Sequence, residues 1–354
     1  VKTTLKDVAA LSGVHPSTVS RVLRGKESLQ ISQATRHKIF SAAKKLDYQP
    51  NQTARALRLK KSQTIGLVIP NIGSPYFAGI AKILDEESSK AGYTLIVCDT
   101  NENQKKEINA VNDLRGRGVD GLIIAPVQDT DEQIKDLVEK NFPLVLIDRF
   151  YDDFKTNAIV CNDEDSAYLA VSKLGELGHH RIGFICGRPN VYPVMRRIAG
   201  YKRAVLEHHL DLDPDLSSAG DQSLESGYHS AKKLFSLTSP PSALLLSGTI
   251  ITIGVFKAII EKNLSIPENI SIIGFTDTIF APYLRQPIST IHHQVKRIGH
   301  EAFKLLFKIL KSDQPKEPET IIVKNLMIDR GSVGAYSQNQ STGQKRGKEK
   351  LKIG

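Results

Sequence analysis

Cysteine is scarce: Cys98, Cys161 and Cys186 are the only three in 354 residues. An odd number with no CxxC spacing gives neither a disulfide framework nor a zinc pattern. Each lies in or just after a short apolar run, where a thiol serves as a small buried hydrophobe. Long apolar runs are missing too. None approaches the roughly 18 residues that read as a membrane span, and the opening Val1-Lys2-Thr3-Thr4-Leu5 has no apolar signal-peptide core. No membrane is expected, and the cytoplasm is the expected compartment. No GxGxxG follows a strand pattern, and no P-loop, HExxH or GxSxG elbow occurs. No catalytic residue and no cofactor are therefore expected. The adjacent pairs His179-His180, His208-His209 and His292-His293 do not read as metal sites, because neighbours i and i+1 face different sides of a helix or strand.

The positive charge is unevenly spread. The formal net charge is +10. Residues 1–62 hold 13 Lys and Arg against 3 Asp and Glu, and residues 331–354 hold 5 against 1. The body between them is mildly acidic, with 30 against 34. A basic head on a near-neutral body points to a polyanion gripped at one end of the molecule.

Length alone predicts two or three domains. In the head, residues 1–50, Thr4-Leu5-Lys6-Asp7 reads as a capping box for a helix over about 5–12, closed by Gly13. His15 as N-cap and Pro16 in the first turn open a second helix over about 16–24. Ser32 opens a third, in which Ile39, Ala42, Ala43 and Leu46 share a face. Residues 51–63 form a basic linker too short and polar to fold alone. From 64 to 330 the texture changes to buried-strand runs, namely 64–70, 93–99, 119–125, 143–148, 181–186, 243–247 and 270–275, separated by helical stretches. The expected fold class is α/β: a three-helix head, then two doubly wound lobes in tandem, divided near 157–165, with a ligand cleft where strand ends face each other. Residues 331–354, rich in Gly, Ser, Gln and Lys, are expected to be a disordered basic tail.

The run Leu5-Lys6-Asp7-Val8-Ala9-Ala10-Leu11-Ser12-Gly13-Val14 and the following Pro16-Ser17-Thr18-Val19-Ser20-Arg21-Val22-Leu23 resemble the lactose-repressor family of bacterial regulators. The likeness continues through Leu46-Asp47-Tyr48-Gln49-Pro50-Asn51, Ala54-Arg55-Ala56-Leu57 and Thr64-Ile65-Gly66-Leu67-Val68-Ile69-Pro70. It implies double-stranded operator DNA as partner, with Pro16, Ser17 and Arg21 reading base edges in the major groove. Arg21 is the residue suited to a bidentate guanine contact. Thr4, Thr18, Ser20 and Arg24 are implied phosphate contacts. Asn51, Ala54 and Leu57 belong to an implied hinge helix that folds on DNA, pairs with its copy in a homodimer and wedges Leu57 into the minor groove. The family usually has Ser where this chain has His15.

The body resembles periplasmic sugar-binding proteins as well as the sensors of that family. The resemblance places Arg197 as the clamp on a small-molecule effector, Asp148 as a cleft acid, and Tyr76 and Phe77 as an aromatic wall. Two departures leave the effector open between a sugar and another metabolite. Thr276 with Asp277 stands where the family often has Asp, and Gly248-Thr249 where it has Asn-Asp. His293, where the family often has Gln, offers a replacement polar contact. Three readings compete: a ligand-controlled regulator, most simply a repressor; a non-catalytic sugar-binding transport component; and a nucleotide-using enzyme. The second needs an export signal and no basic head, and the third needs a catalytic motif. The first is the expectation.

Overall fold

The computed structural model describes residues 3–23, 31–49, 61–275, 277, 281–283, 286–312, 314 and 317–336. The chain divides into two compact units, Val1–Ser62 and Gln63–Gly354.

In the first unit, α1 (Leu5–Ser12) starts at Thr4, whose hydroxyl accepts from the Asp7 N–H while the Asp7 carboxylate accepts from the Thr4 N–H; Gly13 closes it at φ +68°. This is the expected capping box. The Nδ1 of His15 accepts from the Ser17 N–H and so caps α2 (Pro16–Val22), which stops two residues short of the expected end. Ser32 caps α3 (Gln33–Lys45). Val8, Val19, Val22 and Ile39, all buried, come from three helices and meet in one small core.

The second unit contains two six-stranded sheets. The first is built from β1 (Thr64–Ile69), β2 (Thr94–Asp99), β3 (Gly121–Ile124), β4 (Leu144–Ile147), β5 (Ala158–Cys161) and β11 (Thr320–Val323), in the order β11-β5-β4-β3-β1-β2. All its pairings are parallel. Alternation sorts its side chains. Ile65, Leu67 and Ile69 of β1 pack against α4 (Pro75–Lys90) and α11 (Val295–Leu310) on one face. Val68 turns to the other face, towards α5 (Gln104–Gly116) and α6 (Glu132–Glu139). The string Gly116–Gly121, a GxGxxG in letters, runs from the end of α5 into β3. That is the reverse of the strand-to-helix order a dinucleotide site needs.

The second sheet holds β6 (Ile182–Cys186), β7 (Ser217–Ala219), β8 (Ala243–Leu246), β9 (Ser271–Phe275), β10 (Ser289–His292) and β12 (Leu326–Ile328), in the order β12-β10-β9-β8-β6-β7. Only β12 runs antiparallel to its neighbour. Helices α7 (Asp163–Glu176) and α8 (Tyr192–Glu207) cover one face, and α9 (Leu224–Phe235) and α10 (Thr249–Glu261) the other.

The two lobes are not simply in tandem. The stretch expected to divide them contains β5, and after the second sheet the chain returns to the first lobe for α11 and β11 before ending in the second. It crosses three times, at 161–163, 292–295 and 323–326. The crossings are tied together: Asn325 N–H donates to Asn162 Oδ1 at 2.7 Å, and Gln294 Nε2 donates to the Lys324 carbonyl at 2.7 Å.

The expected disordered tail needs correction at its start. Ser332 is buried; its hydroxyl donates to the Ile272 carbonyl at 2.6 Å and accepts from the Ser289 N–H at 2.7 Å. Tyr336 N–H donates to the Leu177 carbonyl. Residues 331–336 are held mainly by hydrogen bonds, with Val333 against the core and Tyr336 beside the His179 ring as the few side-chain packing contacts, which is why composition hid them. The remainder, from 337, lies outside the described residues.

Candidate functional site

On α2, Val19 and Val22 are buried while Ser17 and Arg21, one turn apart, are exposed; Pro16 and Ser20 flank them half-buried, as does Thr18. One face therefore enters the core and the other presents the expected reading residues. Two hydroxyls already have partners. Ser17 Oγ lies 2.8 Å from His15 Nδ1, and the Thr4 hydroxyl donates to Asp7 Oδ2 at 2.7 Å. Because the Thr4 N–H also goes to Asp7, both of its donors are occupied by the cap, and a phosphate would have to displace the carboxylate. Arg24, Asn51, Ala54 and Leu57 lie outside the described residues.

The second candidate lies where the carboxyl ends of both sheets meet the crossings. Asp148 follows β4 and takes φ +65°, and the Arg149 N–H closes back on the Ile147 carbonyl at 2.6 Å. This tight three-residue turn, unfavourable for a residue with a Cβ, sends consecutive side chains different ways. Asp148 accepts from the Tyr76 hydroxyl at 2.9 Å, whereas Arg149 forms two bonds with Glu102, at 2.9 and 2.5 Å. Tyr76, at the start of α4, meets Phe77 edge-on and lies 5.1 Å from the ring of His293, which sits in the second crossing.

Arg197, on α8, is the centre. Its Nε donates to Asp163 Oδ1 at 3.0 Å, Nη1 donates to the Ser247 carbonyl at 2.7 Å, and Nη2 stands 3.3 Å from His293 Nε2 and 3.0 Å from Asp163. Its guanidinium lies over the Phe275 ring at 4.2 Å. Arg197, Asp163, His293 and Asp148 are all buried. Burial opposes ionisation of Asp163, but Arg197 and His293 outweigh it and hold that carboxyl below its ordinary value. For Asp148 burial wins: its carboxyl is raised, with the charge of Asp163 adding to the effect against the pull of Arg149, Arg197 and His293. Two neighbouring carboxyls are thus driven apart. Burial and the Asp148 charge together push the Tyr76 hydroxyl well up.

Arg197, His293, Asp148, Tyr76 and Phe77, all named from the sequence, lie together through these contacts. Thr249 opens α10 two residues beyond Ser247, its hydroxyl oxygen buried with no hydrogen-bond partner among the described residues. Asp277 does not join them: its carboxylate accepts from Arg330 Nη2 at 2.8 Å and Thr290 Oγ1 at 3.1 Å. Thr276 lies outside the described residues. Asp163 was missed because the reading took 157–165 as a divider between lobes. An acid two residues beyond a short apolar run, Ala158-Ile159-Val160-Cys161, was the available signal. The paired histidines are divided among roles, His179 bonding Ser242 and the Gly334 carbonyl, and no metal-binding group of His, Cys, Asp and Glu occurs among the described residues.

The lobes are also bridged at the rim. Arg188, after β6, donates to the Val127 carbonyl and Asp129 Oδ1, both at 2.9 Å. Arg196 reaches Asp152 at 2.6 Å, and Gln128 accepts from the Tyr192 N–H at 2.8 Å.

Residues 4–51 match the model described as bacterial regulatory proteins, lacI family, and residues 171–333 the periplasmic binding protein-like domain. The chain is 32% identical over 332 residues to the HTH-type transcriptional repressor PurR of Aliivibrio salmonicida, covering 93% of this chain and 98% of that protein. The chain belongs to the lacI family. A PurR repressor of Haemophilus influenzae matches at 31% over 334 residues, again 93% and 98% of the two chains. The lac repressor dimer bound to operator and the anti-inducer ONPF superposes with a TM-score of 0.83 at 24% identity, covering 95% and 100%. A CelR–cellobiose complex superposes at 0.71 and 24%, covering 94% and 100%. This lacI-family chain is a DNA-binding transcriptional repressor, and no helix among its described residues is long and apolar enough to cross a membrane.

Proposed function

We propose that this lacI-family repressor reads a two-fold operator as a homodimer through α2, and that its grip is set by a small molecule held between the lobes. Pro16, Ser17 and Arg21 take the base edges, with Arg21 dominant, and Thr18 and Ser20 take phosphates. Arg24, Asn51, Ala54 and Leu57 keep the roles their motif implies. The effector site is formed by Tyr76, Phe77, Asp148, Arg197, Thr249 and His293, joined by Asp163. The observation that carries this reading is the buried Arg197 cluster. A guanidinium, two carboxyls and an imidazole gathered at the strand ends beside three lobe crossings exceed what packing requires. Ligands of structural neighbours, cellobiose in CelR and ONPF in the lac repressor, support a small polar effector.

Coupling follows from linkage. A ligand that favours one lobe arrangement shifts DNA affinity by the ratio of its affinities for the two arrangements. The test is fluorescence anisotropy on a duplex selected by the wild-type protein from a random pool. Arg21→Ala is expected to weaken the selected duplex and relax base preference by about 1–3 kcal/mol at one position. Arg197→Gln is expected to lose the effector response, and a folded variant that still responds would refute the site.

A further inference from the structure

The clamp is already holding an anion. Each nitrogen of the Arg197 guanidinium has a protein partner, and the principal one is the carboxylate of Asp163, with side-chain exposures of 7% and 2%. The second carboxyl, Asp148, is buried nearby, so the centre of the cleft sets one guanidinium against two carboxyls. Among the described residues, the neighbouring cations, buried Arg149 and rim Arg188, are committed as well. Arg149 is held by both oxygens of Glu102 and by the Pro126 carbonyl, and Arg188 by Asp129 and the Val127 carbonyl. What remains unused is of another kind. Among the described residues, Asp148 accepts from Tyr76 through Oδ1 alone and takes no hydrogen bond at Oδ2, and the buried Thr249 hydroxyl has no partner. One is an acceptor waiting for a donor, and the other both gives and takes.

Resting on the reading of this cleft as the effector site, we propose that Asp163 is a specificity-determining residue: it fills the Arg197 fork with a built-in carboxylate, so that the cleft admits uncharged, hydrogen-bond-donating effectors and refuses phosphorylated or carboxylated ones. A phosphate approaching Arg197 must displace a buried carboxylate that has no other cation to turn to except through His293, and must do so beside Asp148. Like charges in a low-dielectric site repel strongly. A neutral ligand needs no such exchange. Its hydroxyl or N–H groups go to Asp148 Oδ2 and Thr249, and the Arg197–Asp163 pair stays intact as part of the wall.

The test is calorimetric titration of the full-length protein with matched pairs: hexoses and their 6-phosphates, pentoses and their 5-phosphates, nucleobases and nucleoside monophosphates. Inorganic phosphate is titrated against sodium chloride of equal ionic strength. The wild type is expected to bind the uncharged member of a pair at least ten-fold tighter, and to show no saturable phosphate binding. Asp163→Asn keeps the shape and removes the charge; it is expected to shrink that preference at least ten-fold and to create saturable binding of inorganic phosphate. Asp163→Glu is expected to keep the discrimination, and provides the second variant if Asp163→Asn does not fold. The proposal is overturned if the wild type prefers the phosphorylated member or binds phosphate saturably. It is equally overturned if folded Asp163→Asn leaves phosphate unbound and the preference unchanged, or if Asp163→Glu loses the discrimination. Should an uncharged ligand bind with an affinity that Tyr76→Ala leaves untouched, the cleft assignment fails separately from the charge filter.

Discussion

Arg197 and Asp163 answer to mutation as a unit. Removing one member of a buried ion pair leaves the other charged and without its partner, at about 3–5 kcal/mol, whereas removing both at once is far cheaper. Arg197→Ala and Asp163→Ala are each expected to lower Tm steeply, and the double variant to recover much of the loss; additive losses in a thermal double-mutant cycle would refute the coupling. Asp148 carries the opposite sign. Its folded carboxyl is raised, so the native state binds the proton more tightly than the unfolded chain, and stability falls as pH rises from the ordinary aspartate value through the raised one. Asp163, held low, contributes stability that is present above the ordinary aspartate value and lost as pH falls through its folded value. Asp148→Asn keeps an acceptor for Tyr76 and tolerates the positive φ. It is expected to raise Tm at neutral pH, with the gain disappearing below about pH 4, near the ordinary aspartate value. A gain of equal size at all pH values would rule out this titration account.

Among elements, the pairing of α7 with α8 fixes where Arg197 sits. A Cβ on Gly200 would stand 2.0 Å from the Glu164 carbonyl oxygen, so the helices approach backbone to backbone and glycine is required there. Gly200→Ala is expected to push α8 outward, costing at least about 1–3 kcal/mol and weakening the effector response, since Arg197 lies one turn away. Thermal melts paired with anisotropy check both. Six of the seven short apolar runs were legible because strands buried on both faces leave no polar alternation; the seventh, β2, is a half-exposed edge strand that its apolar residues still marked. Of the missed strands, β5 carries the same buried apolar signal but was read as part of the divider; the others lack it, since β7 is Ser-Ser-Ala, β10 contains Ser, Thr and His, and β11 and β12 lie at sheet edges with exposed Ile322 and Leu326. Arg197, Tyr76 and His293 were legible through motif context. Asp163 was not, because its neighbourhood read as a boundary, and the diversion of Asp277 to Arg330 depends on a residue 53 positions later, which no local pattern encodes.

At the scale of the sensor, the rim pairs bridge the lobes from partly solvated positions, Arg188 at 24% and Arg196 at 37% side-chain exposure. Such pairs contribute about 0.2–1 kcal/mol each and are screened by salt. Arg188→Ala/Arg196→Ala is therefore expected to change global Tm little while shifting the lobes apart, and high salt should reproduce the effect in the wild type. An unchanged scattering radius in the variant, measured by small-angle X-ray scattering, would show that the crossings alone hold the closed form. The triple crossing reaches further, into how the molecule is made. Because α11 and β11 come from residues 295–323, the first lobe cannot complete the cover that α4 begins over one face of its sheet until residue 323 has left the ribosome, although its first strand emerges early. The second lobe, all but β12 and the segment around Ser332, is available before the first is finished. The lobe nearer the start of the gene is thus the later to mature, and a chain cut short between the lobes leaves an exposed apolar sheet rather than a folded half.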